Sequence, residues 1–224
     1  MSEVTSAARE NVQRLRRLDG CAVSDALDKL GLAGAVTGLP QRSGKGRIAG
    51  QAITVKLGTG EPPPGPPKHL GCTAIEAAGA DHIIVVEQRS GVDAGCWGGL
   101  LTLGAKVRGV AGVVADGPLR DVDEAIAYEF PIFSRSLTSF TARGRVVEKG
   151  TNVAVEVGTV TVQPGDYVLA DGSAVIFIAA ANIARVLEAA EMIVAKEAAM
   201  AKAILSGTPI GQVMGGNYEH MLEK

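Results

Sequence analysis

Residues 95–124 read GCWGGLLTLGAKVRGVAGVVADGPLRDVDE, and this stretch decides the fold class. A glycine-rich loop, Gly91–Gly99, leads into a short helix at Leu100–Val107. A buried-type strand follows at Gly112–Ala115, then a turn at Asp116–Gly117 and a helix over Asp121–Tyr128. Just upstream, Lys68–Gly79 reads as a helix and His82–Glu87 as a strand with an apolar centre. Strand and helix alternating in this way favour α/β units.

Residues 5–18 carry a helical pattern with a polar and basic face (Arg9, Arg14, Arg16, Arg17). Asp19 is placed to cap a second helix, Val23–Leu30, which stops at Gly31. Residues 32–46 read as loop and Arg47–Leu57 as a strand. The segment 58–67, GTGEPPPGPP, holds five prolines, which exclude a helix or a central strand. It reads as a stiff surface loop, because regular structure resumes on both sides.

Beyond the central stretch, Val146–Val157 and Thr159–Val162 are β-rich, and Pro164–Asp166 is a turn before strands at Tyr167–Ala170 and Ala174–Ile178. A long helix spans 181–205, with Ile183, Val186, Leu187, Ala190, Ile193 and Val194 at the helical period. Gly207 and Pro209 end it. No repeat or shift in composition divides the chain, so 1–224 reads as one domain with a tail at 208–224.

Composition narrows the function. The 224 residues carry 22 Lys+Arg against 24 Asp+Glu, a net −2. That balance argues against a nucleic-acid binder and a polybasic membrane-surface protein. At 46% apolar and 21% charged residues the chain is not disordered. Aromatics are only 4%, so Val, Ile, Leu and Ala must build the core. The longest apolar run, Ala174–Ala181, is far short of the roughly 20 residues that cross a bilayer. The N-terminus has no apolar secretory segment. Cys21, Cys72 and Cys96 are few, odd in number and form no CxxC pair, which points to a reduced, cytoplasmic protein.

Several motif readings fail on context. Gly44–Ala49 fits a loose GxGxxA but precedes a strand, where a dinucleotide fingerprint must follow one. No P-loop and no GxSxG element occurs. His69, His82 and His220 lie near no nucleophile elbow. His69 and Cys72 share a helix face and with Cys96 make a poor metal set, better read as packing. Lys56 in its strand fits a solvent-facing lysine better than a Schiff-base one.

Two features carry chemistry. A glycine-rich loop entering a helix at Gly98–Leu101 leaves backbone N–H groups free for a carboxylate, phosphate or enolate oxygen. At the end of the next strand, Arg120 offers a planar fork for a carboxylate, and Asp121 a hard oxygen for Mg²⁺ or Mn²⁺. Each alone also fits a structural role: a packed turn, or a surface ion pair with Asp121 as a helix cap. Together they point to a small-anion site.

The 95–124 stretch resembles the signature of the RraA-like superfamily, which includes class II 4-hydroxy-4-methyl-2-oxoglutarate/4-carboxy-4-hydroxy-2-oxoadipate aldolases and RraA regulators of ribonuclease E. Val23–Asp28, Ala49–Val55 and Pro164–Asp171 resemble the family's early helix, first core strand and late turn, so the likeness covers about residues 20–207. It implies an α/β/β sandwich of the swivelling-domain type with a long C-terminal helix. It further implies homotrimers or hexamers with sites at subunit interfaces.

By the same resemblance, the chain is a Mg²⁺- or Mn²⁺-dependent lyase that cleaves or decarboxylates a 2-oxo acid, oxaloacetate included, through a pyruvate enolate. Gly98, Gly99, Leu100 and Leu101 would hold pyruvate through their amides, Arg120 its carboxylate and enolate, and Asp121 the metal. Glu197 would come from a neighbouring subunit's C-terminal helix. One position departs from the pattern: the aldolases carry an acid twenty-one residues before the arginine, and here that residue is Gly99. Glu87, Asp93 and Asp116 are the acids in sequence range to compensate. Without compensation, retro-aldol cleavage should suffer more than decarboxylation, or another oxo acid is used, or the protein is a non-catalytic regulatory or binding module.

Overall fold

Strand β3 (Ile48–Gly58) is the spine of the molecule, because it is paired along both edges. The computed structural model describes residues 5–66 and 68–215. On one edge β3 runs parallel to β4 (His82–Glu87), from Gln51↔His82 to Lys56↔Glu87. On the other, its first half pairs antiparallel with β10 (Tyr167–Ala170) and its second half with β7 (Val147–Thr151). From β4 the sheet continues in parallel to β5 (Gly112–Leu119) and β6 (Ile132–Leu137), and then antiparallel to β2 (Gln41–Ser43). Beyond β10 lie β11 (Val175–Ile178) and β1 (Ala35–Val36).

Alternation along β3 sorts the two faces. Ala49, Ile53, Val55 and Leu57 point to the helical side. There α3 (Cys72–Ala77), α4 (Gly99–Val107) and α5 (Val122–Ala127) cross between the parallel strands, and Ile75, Leu101, Ala105 and Ala125 fill the space. The same face, at the β10–β11 end, is covered by α1 (Ser6–Leu15), α2 (Gly20–Lys29) and α6 (Ile183–Leu205). Ile48 and Ala52 point the other way, with Ile83, Val85, Val114 and Phe133. A two-stranded hairpin of β8 (Val155–Val157) and β9 (Val160–Val162) closes that face. The architecture is the expected α/β/β sandwich with a long C-terminal helix.

Two acids fasten the hairpin. Glu87 accepts a hydrogen bond from the Glu156 N–H at 2.8 Å, and Asp116 from the Gly158 N–H at 2.7 Å. Asp116, buried, also takes 2.8 Å from Arg135 Nε, and Lys56 lies 3.3 Å from Glu87. Lys56 is thus a half-exposed ion-pair partner.

Local expectations hold except in five places. Residues 32–46 contain β1 and β2, too short to show a period. The helix expected at 68–79 is only Cys72–Ala77, because Gly71 ahead of it is left-handed at φ 77. The turn expected at Asp116–Gly117 is strand: β5 runs through to Leu119 and absorbs Pro118 with a register shift. β6 was not anticipated, since Ser134–Arg135–Ser136 hides its alternation. A short helix, α7 (Ile210–Val213), follows Pro209 within the expected tail. The rest of that tail, 216–224 with His220, lies outside the described residues, as do 1–4 and Pro67 of the proline loop.

The basic face of α1 is bound to the body of the chain. Arg14 forms a two-pronged pair with Glu191 at 2.8 Å per contact, and Arg9 reaches Asp81 at 3.1 Å. Asp19 caps α2 through the Ala22 N–H. Glu197 on α6 is half-buried in the same helical layer; burial first, then the charges of Asp19 and Asp25, raise its carboxyl above the usual range. Asp25 is raised by burial, then by Asp28 and Asp19.

Two outcomes are expected. Asp116→Ala removes an acceptor from Gly158 and Arg135 and should cost about 2 kcal/mol in denaturant unfolding. Glu197 binds its proton more tightly in the folded chain, so its contribution is greatest in acid and is lost as pH rises through its raised value. Glu197→Gln should therefore raise Tm at neutral pH, with the gain vanishing as pH falls below ~4.

Candidate functional site

The glycine-rich loop is seated on the end of β5 by backbone bonds. Cys96 N–H donates to Pro118 O at 2.9 Å, and Arg120 N–H to Trp97 O at 3.0 Å, giving a parallel bridge between Trp97 and Leu119. Gly95 N–H donates to Phe140 O at 2.9 Å. Buried Gln88 shapes the approach: its Nε2 donates to Val92 O and Ala94 O, and its Oε1 accepts from Ser90. Trp97 is 1% exposed, and its indole N–H donates to Thr102 Oγ1. Thr102 Oγ1 donates in turn to Gly98 O at 2.9 Å. Trp97 therefore belongs to the core beneath the loop.

At Gly98 the chain enters α4. The first helical bond runs from Thr102 N–H to Gly98 O, so the N–H groups of Gly99, Leu100 and Leu101 have no helical acceptor. Gly99 N–H is met by Asp121 Oδ2 at 3.0 Å. Among the described residues nothing accepts from Leu100 or Leu101. Asp121 is left-handed at φ 58, ψ 40, a conformation Asp tolerates better than most residues, and it caps α4 instead of its own α5. The Arg120 guanidinium lies against it, Nε to Oδ2 3.2 Å. The arginine's stem crosses Gly95 and Gly98 so closely that a Cβ on either would meet its carbons at 2.9 and 3.2 Å.

The structure thus brings Gly98, Gly99, Leu100, Arg120 and Asp121 together, with Leu101 anchoring the helix in the core. A cavity of about 690 Å³ lies nearby, lined by Pro62–Pro66, Lys68, His69, Arg143 and Glu148. Gly71, next to its Leu70 wall, packs on Trp97 and Leu101.

Other sequence candidates lie elsewhere. Glu197 sits in the α1–α2–α6 layer of the same chain. Glu87 and Asp116 serve the hairpin on the opposite face, and exposed Asp93 borders an open cleft there with Arg89 and Arg135. None of the three stands in for an acid at 99. Cys96 is buried, and burial pushes its thiol up to about 12, so it is inert. His69 and Cys72 form no metal set with it.

Among the described residues no group of three or more His, Cys, Asp or Glu side chains could hold a metal ion by itself. The carboxylates near α4 are Asp121 and, from the first turn of α5, Glu124. Asp121 offers a hard oxygen donor that fits Mg²⁺ or Mn²⁺, ions that can take a single carboxylate and complete their shells with water and substrate oxygens. Sequence reasoning missed Glu124 and Gln88. The signal for Glu124 was present, since Asp121 and Glu124 are three residues apart at a helix start and share a face.

Comparisons with known proteins bear on the family and the fold. The chain is 32% identical over 171 residues to the uncharacterized protein MJ0644 of Methanocaldococcus jannaschii, covering 75% of this chain and 77% of that one. It is 27% identical over 201 residues to a Halalkalibacterium halodurans protein named "Putative 4-hydroxy-4-methyl-2-oxoglutarate aldolase", covering 90% and 91%. It matches protein DlpA of Legionella pneumophila at 27% over 90% of this chain, but spans only 32% of DlpA's length.

Among solved structures, an uncharacterized Pseudomonas syringae protein superposes with a TM-score of 0.82 at 29% identity, covering 93% and 98% of the two chains. Streptomyces coelicolor RraAS2, described as an unusual member of the RNase ES inhibitor RraA protein family, shares the fold with a TM-score of 0.69 at 22% identity, covering 81% and 90%. The family model described as RraA-like, Aldolase/RraA, matches residues 20–177, and the chain belongs to that family.

Proposed function

We propose that this protein is a divalent-metal-dependent lyase that cleaves or decarboxylates a 2-oxo acid through a pyruvate enolate, with an activity like that of 4-hydroxy-4-methyl-2-oxoglutarate aldolase and oxaloacetate as a second substrate. The observation that carries this reading is the Arg120 guanidinium fixed over the glycine loop beside the open N–H groups of Leu100 and Leu101. A carboxylate bound there meets a helix N-terminus and a planar cation together. Mg²⁺ or Mn²⁺ held by Asp121 would supply Lewis-acid polarisation of the substrate's carboxylate and keto oxygens. Arg120 places positive charge where the enolate oxygen develops. Trp97 and Thr102 hold the loop rigid, so the donors need not reorganise. Action in the cytoplasm belongs to the same proposal, on the three free cysteines; among the described residues no helix is long and apolar enough to cross a membrane.

Assembly belongs to the same reading. Leu100, Leu103 and Val107 form an exposed apolar stripe on α4, 86%, 38% and 79% accessible, and Ile126 on α5 is exposed as well. Such a stripe supports self-association into a trimer or hexamer. A second copy is also the source from which Glu197 would reach the site.

Gly99 favours a second reading, a ring-forming binding protein without turnover. Pyruvate release coupled to lactate dehydrogenase, with oxaloacetate and a 4-hydroxy-2-oxo diacid as substrates, separates the two. Turnover should need Mg²⁺ or Mn²⁺, vanish in EDTA and fall about 100-fold or more in Arg120→Ala. No turnover on either substrate by folded, assembled protein would leave the binding reading. Val107→Lys should shift the mass in light scattering from multimer towards monomer; an unchanged mass would clear α4 of that role.

A further inference from the structure

Glu124 is a carboxylate at the start of α4 that nothing among the described residues holds. Asp121 is engaged by the Gly99 N–H and by Arg120, while no donor among the described residues bonds the Glu124 side chain. It reaches from the first turn of α5 across to the start of α4. A Cβ built on Gly99 would lie 2.7 Å from the Glu124 carboxyl carbon and closer still to its Oε2. The carboxylate therefore fills the space into which any side chain at 99 would project. The missing side chain and the inserted carboxylate are two halves of one arrangement: Gly99 leaves room and Glu124 takes it.

The consequence is chemical. Exposed and unpaired, Glu124 can take and return a proton within reach of a ligand seated on the α4 amides and Arg120. We propose that Glu124 is the acid–base residue of this site, so that its substrates include 4-hydroxy-2-oxo acids and not only those that lose CO₂. The inference rests on the lyase reading. Glu124 takes the proton of the C4 hydroxyl, and the C4–O bond becomes a carbonyl. The C3–C4 bond breaks, and its electron pair forms the enolate of pyruvate beside Arg120. Protonated Glu124 then returns that proton to C3, giving pyruvate and an oxo product. Decarboxylation of oxaloacetate breaks the bond to CO₂ and has no hydroxyl proton to remove.

The test compares wild type, Glu124→Gln and Glu124→Asp on both substrates. Trp97, the only tryptophan, lies in the loop and is tied through Thr102 to Gly98, so oxalate binding is to be followed by its fluorescence and checked by calorimetry. Glu124→Gln should lower kcat for retro-aldol cleavage about 100-fold with little change in KM. Decarboxylation should fall much less, so the ratio of the two rates drops at least about tenfold. Glu124→Asp should recover part of the loss. Oxalate binding should persist in each variant, which shows that the loop is intact.

A Glu124→Gln enzyme that keeps its retro-aldol rate, or that loses both activities equally, overturns the role of Glu124 while the lyase reading stands. A wild type that binds oxalate but turns over neither substrate overturns both.

Discussion

Two backbone hydrogen bonds, from Cys96 to Pro118 and from Arg120 to Trp97, fix the relation between the glycine loop and the end of β5. Everything chemically interesting depends on them. They place the start of α4 beside the start of α5, two helices that leave the sheet at the same edge. The dipoles and open N–H groups of α4 then face residues 120–124 without any long side chain having to bridge a gap. Because the bonds are backbone to backbone, the arrangement tolerates side-chain change provided the close approaches at Gly95 and Gly98 survive.

The two faces of the sheet divide the work. The helical face carries the candidate site at its carboxyl edge, where ligand sites of α/β proteins collect. The opposite face is structural, and its acids are spent on the hairpin. Glu87 and Asp116 look attractive as isolated acids at strand ends, yet the backbone N–H groups of residues 156 and 158 already occupy them. A buried carboxylate satisfied in this way is costly to redirect towards a ligand.

Much of this was legible in the sequence. The strands at 47–57 and 82–87, the helix at 181–205 and the Gly98–Asp121 constellation stood out because their patterns are local and strong. What stayed hidden was long-range. β1 and β2 are strands only because β11 and β6 supply partners. Pro118 sits inside β5 because a register shift accommodates it, which no propensity announces. The side to which Glu87 and Asp116 point depends on strand phase, so proximity in sequence misjudged them. Glu124 could have been found by treating an absent side chain at 99 as space to be filled from α5.

The closing of the sandwich has a consequence for how the protein is made. α1 and α2 are synthesised well before β10, β11 and α6, which build the surface they cover. At a translation rate of roughly 5–20 residues per second, the nascent amino-terminal helices wait about ten seconds or longer for their partners. The central β3–β4–β5–β6 ribbon can form meanwhile, but β3 keeps one edge open until β7 and β10 arrive. During that interval the young chain presents an unpaired strand edge and an apolar helix pair. That is the state in which a chaperone would find most to hold.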